Sequence, residues 1–93
     1  MTDEIKGLIK RAAEVLRKAG AREVYLFGSA ATGMMREESD IDMAVSGLPP
    51  EVFFTAMGKA HSILGRQLDL IDLDEKNLFT EYLKKKGKLH LVL

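Results

Sequence analysis

The chain has 93 residues and no cysteine, and its 14 basic and 14 acidic side chains balance. This length allows one small domain, residues 1–93, and the lack of cysteine excludes disulfides, zinc–thiolate sites and thiol catalysis. The charge balance argues against long RNA or DNA as the main ligand, because such proteins usually carry a basic excess. No stretch resembles a signal peptide or a membrane span, so we expect a cytoplasmic protein with no membrane partner.

The first half of the chain predicts a helix, two strands and a helical turn. Apolar residues at helical spacing predict the first helix, which ends at Gly20: Ile5, Leu8, Ile9, Ala12, Ala13, Leu16 and Ala19. Residues 23–27 are rich in aromatic and branched side chains, as strands are. Residues 29–33 predict one helical turn, and 34–39 a loop. Residues 40–46 predict a strand that is apolar on both faces and therefore central.

The second half predicts two helices and two strands. Residues 52–64 carry apolar side chains at helical spacing, and Gly65 closes that helix. Residues 66–72 predict the third strand, and 75–86 a further helix. A short final strand is expected within 89–93.

A mixed sheet follows from the order of these elements. The second and third strands flank a helix and form a right-handed βαβ unit, so they are expected to be parallel. Gly28 ends the first strand and Asp40 begins the second, so if adjacent these strands run antiparallel with both residues at one edge. We therefore predict an α/β (α+β) domain, with three to four strands in a mixed sheet and helices mainly on one face.

The spacing between a Gly-Ser pair and an Asp-x-Asp pair is the most informative feature. Ten residues separate Gly28-Ser29 from Asp40-Ile41-Asp42. At a strand end, the backbone N–H groups of such a Gly-Ser turn can bind phosphates. Residues two apart on a strand point the same way, so Asp40 and Asp42 present carboxylates roughly 6–7 Å apart. Mg²⁺ binds through one or two carboxylates plus substrate phosphates, which suits this arrangement.

A third carboxylate is expected on the third strand. Asp69 lies on the face of Ile71 and Leu73, whereas Asp72 lies on the other face. The segment from Asp72 to Asp74 is typical of a helix-capping turn. We favour Asp69 over Asp72 for the third position.

These motifs together resemble the nucleotidyltransferase superfamily that contains DNA polymerase beta, and most closely its minimal nucleotidyltransferases. The similarity rests on Phe27-Gly28-Ser29, Gly33, Arg36, Ser39-Asp40-Ile41-Asp42 and Leu68-Asp69-Leu70-Ile71, and it covers nearly the whole chain. It implies the polymerase beta-like fold. It also implies that Asp40, Asp42 and Asp69 are catalytic and bind two Mg²⁺ ions, or Mn²⁺ in their place.

The resemblance further assigns nucleotide binding to Gly28, Ser29 and Arg36. It implies transfer of a nucleoside monophosphate to a hydroxyl, with AMP from ATP as the donor group and release of pyrophosphate. Minimal nucleotidyltransferases of this type pair with helical HEPN proteins in toxin–antitoxin-like systems. The expected acceptor is therefore a tyrosine of a HEPN partner, and the oligomeric state stays open.

A second interpretation is a nucleotide-binding antitoxin subunit that is catalytically weak and neutralises its partner by binding. Ala30 and Thr32 favour it, because the family often has arginines at those positions. The intact Asp40, Asp42 and Asp69 argue against it, since a decayed site has no reason to keep three costly like charges.

The only basic run, Lys84-Lys85-Lys86 with Lys88, follows the end of the last predicted helix. Cations are favoured near a helix C-terminus. We interpret this run as a solvated face rather than an RNA-binding patch.

Overall fold

Four helices and four strands alternate along the residues that the computed structural model describes, 2–33 and 40–93. In chain order they are α1 (Asp3–Lys18), β1 (Glu23–Phe27), α2 (Ser29–Thr32), β2 (Ile41–Ser46), α3 (Pro50–Leu64), β3 (Leu68–Asp72), α4 (Leu78–Lys85) and β4 (His90–Leu91). Every predicted element of the described segments is present. Within these segments no helix is both long and apolar enough to cross a membrane.

The sheet is mixed, as predicted, with the strand order β3-β2-β1-β4. Strand β1 is antiparallel to both β2 and β4, and β2 is parallel to β3 across the α3 crossover. Strand β2 is therefore central. Because β1 and β2 are antiparallel, the end of β1 and the start of β2 lie at the same edge of the sheet.

Helices α1 and α3 cover one face of this sheet. Side chains from the two helices, three strands and the segments before β1 and after β2 form the main core: Ile9, Ala12, Ala13, Leu16, Ala21, Val24, Ile41, Met43, Val45, Leu48, Ala56, Ala60, Leu64, Leu68 and Leu70. Strand residues in this core alternate along each strand, since successive side chains point to opposite faces. Small side chains such as Ala12 and Ala13 are fully buried.

The opposite face is only partly covered, by α4. Phe27, Ala44, Leu73 and Leu83 form a second, smaller cluster there. Helix α4 begins at Leu78, three residues later than the predicted start at 75, because Asn77 is its N-cap. The Asn77 side chain accepts a hydrogen bond from the Thr80 N–H at 2.9 Å, and the Asn77 N–H donates to Thr80 Oγ1 at 3.2 Å. This reciprocal capping box fixes where the helix starts.

Candidate active site

Two carboxylates lie side by side on neighbouring parallel strands. In the pairing of β2 with β3, Asp42 is the direct partner of Asp69. Neighbouring strands are about 4.8 Å apart, and paired residues point to the same face. Both side chains therefore project from the same face of the sheet, the one that carries Ala44 and Ile71.

Asp40 completes the group from just before β2, where it is exposed. Burial raises the pKa of the half-buried Asp42 carboxyl above its ordinary value, and the charge of Asp69 and a hydrogen bond between the two side chains raise this pKa further. The charge of Asp40 adds a smaller effect in the same direction. Asp42 thus interacts with both of the other aspartates, and deprotonation is opposed by like charges on two sides.

Gly28 lies against the Asp42 side chain. It follows Phe27, the strand partner of Asp42, and has φ +66° and ψ −148°. A Cβ at this position would meet an Asp42 carboxylate oxygen and stand 3.3 Å from Asp42 Cγ. Only glycine combines this backbone geometry with so close an approach.

Ser29 begins the short helix α2 directly after Gly28. The Gly28 carbonyl accepts hydrogen bonds from the N–H groups of Ala31 at 3.2 Å and Thr32 at 3.3 Å. The Thr32 hydroxyl donates to the Ser29 carbonyl at 3.2 Å, so this side chain forms a hydrogen bond within α2. The turn therefore stands beside Asp42 at one edge of the sheet.

Arg36, the third predicted nucleotide-binding residue, lies outside the described residues, as does the predicted loop at 34–39.

Asp72 pairs with Val45 at the other end of β3, away from Asp42. Its Oδ1 accepts a hydrogen bond from the Asp74 N–H at 2.9 Å, so it stabilises a turn and does not cap α4. The predicted helix-capping role of this segment is wrong, since Asn77 is the cap.

Metal ligation by the aspartates depends on their chemistry rather than on a preformed ligand cage. Within 2–33 and 40–93, no three or more His, Cys, Asp or Glu side chains are arranged to hold a metal ion. The donor set nevertheless fits a hard cation, because burial and then the charges of Asp69 and Asp40 raise the pKa of Asp42. A divalent cation relieves that repulsion, and oxygen donors are its preferred ligands.

Two cavities lie on the described surface near these elements. The larger, about 770 Å³, is mostly apolar and runs between α3 and α4 past the edge of β3. It contains none of the predicted site residues. A second cavity of about 470 Å³ is lined by Gly28, Thr32, Lys86, Lys88 and His90, among others. The sequence did not predict that these basic residues line a cavity with Gly28, because nothing in their local pattern indicates it.

We predict that Asp42→Asn stabilises the protein at neutral pH. The folded pKa of Asp42 is raised, so its contribution to stability is full below the unfolded pKa and is lost as pH rises through the folded pKa. The advantage of the variant over the wild type should therefore grow from about pH 4 upward. Urea unfolding of both proteins from pH 4 to 8 measures it. A variant less stable than the wild type at pH 7 would show that the charged carboxylate is structural.

Gly28→Ala should lower the free energy of unfolding by about 3 kcal/mol, the upper end for a strained backbone position. The added methyl group would also push the Asp42 carboxylate aside. Gly33→Ala is the matched control, since Gly33 also has positive φ, +75°, but a Cβ there meets nothing within 4 Å. The control should lose about 1 kcal/mol. Equal losses in the two variants, measured by urea unfolding, would contradict the close packing of Gly28 on Asp42.

Solved structures share this fold. One is a toxin–antitoxin complex with AMP-PNP, at 25% identity and a TM-score of 0.71, covering 99% of this chain and 73% of that chain. Another is a tri-AMPylated Shewanella oneidensis HEPN toxin in complex with MNT antitoxin, at 22% identity and a TM-score of 0.67, covering 95% and 71%. A third, described as a minimal nucleotidyltransferase, has 23% identity and a TM-score of 0.69, covering 94% and 92%.

The family assignment rests on sequence as well as on shape. No curated protein matches the chain at a significant level. The family model for polymerase beta nucleotidyltransferases matches residues 10–91, which include the Gly-Ser turn, all three aspartates and the whole sheet. The chain belongs to the polymerase beta nucleotidyltransferase family.

Proposed function

We propose that this protein transfers AMP from ATP to the hydroxyl group of a tyrosine on a HEPN-domain partner protein, with release of pyrophosphate. The observation that carries the proposal is the pairing of Asp42 with Asp69, with Asp40 beside them and Gly28 packed on Asp42. Three carboxylates next to a phosphate-binding type of turn suit nucleotidyl transfer. A purely structural role gives no reason to hold like charges together.

The relatives support the chemistry and the partner. The complex with AMP-PNP is a toxin–antitoxin assembly, and another solved assembly holds an AMPylated HEPN toxin with its MNT antitoxin. Each is similar to this chain over most of its length. Transfer of AMP to a partner protein is therefore the reaction that we infer for this chain.

Each residue of the site has a distinct task in this reaction. The acceptor oxygen forms a bond to the α-phosphorus of ATP, and the bond between that phosphorus and the bridging oxygen breaks. The electron pair of that bond leaves with pyrophosphate. Asp69 would accept the proton of the acceptor hydroxyl, and its exposure on the outer strand β3 supports this role. The Gly28-Ser29 turn binds phosphate oxygens through its N–H groups and hydroxyl.

Asp40 and Asp42 would hold a divalent cation, with Asp69 contributing to a second one. Bound cations would neutralise the triphosphate and stabilise the charge that develops on the leaving group. The raised pKa of Asp42 fits this role, because burial and the charges of Asp69 and Asp40 all disfavour its ionised form, and a bound cation would offset them. Mg²⁺ is the expected ion, and Mn²⁺ a substitute.

Transfer should fall by about 10²-fold or more in Asp69→Asn, the usual effect of losing a catalytic acid–base group. Asp40→Asn and Asp42→Asn should lose at least as much, because the charge stabilisation that a bound cation supplies would be lost with its ligand. Asp72→Asn is the matched control on the same strand as Asp69 and should keep activity, because Asp72 lies at the far end of β3. The measurement is incorporation of label from α-labelled ATP into the HEPN-domain partner protein, with Mg²⁺ present. Mass spectrometry then identifies the modified side chain.

Two results would overturn the proposal in different ways. Loss of transfer in Asp72→Asn with retention in Asp69→Asn would reverse the assignment of the third carboxylate. A stable complex with the partner that never becomes labelled would favour the second interpretation, neutralisation by binding alone.

Millimolar Mg²⁺ together with ATP should raise the melting temperature of the wild-type protein. Binding to the folded state stabilises it by mass action, and at a ligand concentration 100 times Kd the gain is about 2.7 kcal/mol. Asp40→Asn/Asp42→Asn should show little or no such rise. Thermal unfolding with Mg²⁺ alone, ATP alone and both measures the effect. An equal rise in this double variant would place the metal and nucleotide elsewhere.

A further inference from the structure

The cavity of about 470 Å³ lies beside Gly28, on the side away from Asp42 and Asp69. Its wall includes the end of β1, helix α2, helix α4 and His90 of β4, and it includes no residue of β2 or β3. Since the sheet order is β3-β2-β1-β4, the carboxylates and the cavity flank Gly28 on opposite sides. Its volume falls within the range of small-molecule sites.

The charge of this cavity is opposite to that of the carboxylate group. Lys86, Lys88 and His90 line it, and no Asp or Glu appears among its described lining residues. Helix α2 has the sequence Ser-Ala-Ala-Thr and supplies no cation of its own. Among the described residues that line the cavity, the positive charge comes from Lys86 and Lys88, with His90 beside them.

Backbone contacts bring the basic residues to this position. The Lys86 N–H donates to the Tyr82 carbonyl at 3.0 Å, and the Lys88 N–H donates to the Leu83 carbonyl at 3.3 Å. Between them Gly87 adopts a left-handed conformation with φ +62°, which reverses the chain as it leaves α4. The chain then enters β4, whose His90 pairs with Leu26 near the end of β1.

Aromatic rings form one wall of the cavity. Phe79 packs edge-on against Phe27, with ring centroids 5.9 Å apart, and Tyr82 also lines the cavity. A lysine-lined cavity bounded by a glycine turn suits a polyphosphate better than an apolar ligand.

We propose that this cavity binds the phosphate tail of the nucleoside triphosphate, with Lys86 and Lys88 supplying the positive charge that Ala30 and Thr32 do not. The inference rests on the proposed function and adds the residues that hold the leaving part of the substrate. It also divides the basic run: Lys86 and Lys88 face the cavity, whereas Lys84 and Lys85 belong to the last turn of α4 and do not line it.

The test compares two double variants that remove the same charge from the same run. Lys86→Ala/Lys88→Ala should weaken binding of AMP-PNP and of inorganic tripolyphosphate at least about tenfold, since one charge-assisted hydrogen bond accounts for that factor. Lys84→Ala/Lys85→Ala is the control and should stay within about twofold of wild type, because neither side chain lines the cavity and more distant charges are screened by salt. Calorimetric titration of the whole chain with Mg²⁺ measures both ligands, and circular dichroism checks the fold.

The outcomes separate this inference from the proposed function. Equal affinities in the two double variants would overturn the cavity's role and leave the transfer reaction standing. Weaker binding only in Lys86→Ala/Lys88→Ala, with no transfer to any partner by the wild type, would support the cavity and overturn the reaction. A wild-type protein that binds neither ligand would overturn both.

Discussion

Asp42 and Asp69 are held side by side by the parallel pairing of β2 and β3, and the site depends on that register. Neighbouring strands lie about 4.8 Å apart, so the pairing keeps the backbones of the two aspartates close together as long as the sheet is intact. The opposite faces of the same strands carry Ile41, Met43 and Leu68, which are buried under α1 and α3. A slip of one residue would turn these apolar side chains outward and the aspartates into the core. Apolar burial on one face therefore enforces like-charge proximity on the other.

The sheet has two different faces for this reason. The covered face carries side chains with no measurable exposure, such as Val24, Met43 and Val45, and close packing makes it rigid. The other face is only partly covered by α4, and Asp40 and Asp69 are exposed there. A rigid scaffold thus presents carboxylates that a macromolecular acceptor can approach from solvent. This agrees with a reaction whose acceptor is a separate protein.

Gly28 lies between the aspartate group and the cavity lined by Lys86 and Lys88. Without a Cβ it allows Asp42 to pack against the turn, and its positive φ directs the chain into α2. Carboxylates lie on the β2 and β3 side, and the lysine-lined cavity lies on the β4 side. A metal–triphosphate complex has the same polarity, because its cation prefers carboxylates and its terminal phosphates prefer ammonium groups. The separation of charge across one glycine therefore matches the substrate that we propose.

Local patterns in the sequence were sufficient for the secondary structure and for part of the site. Period-two alternation placed Asp69 and Asp72 on opposite faces of their strand, because successive strand residues point to opposite faces. The βαβ connection predicted the parallel pairing that brings Asp42 and Asp69 together. These features follow from short-range geometry and connection rules, so the sequence by itself determined them.

Tertiary structure alone decided the start of α4 and the course of the chain beyond it. The boundary at Leu78 depends on the reciprocal hydrogen bonds of Asn77 and Thr80, which the apolar pattern does not encode. The meeting of Lys86 and Lys88 with Gly28 depends on a chain reversal and on pairing between strands far apart in sequence. The amino-acid pattern of a basic run does not indicate whether its side chains face solvent or a cavity. Only the long-range pairing of β4 with β1 distinguishes the two.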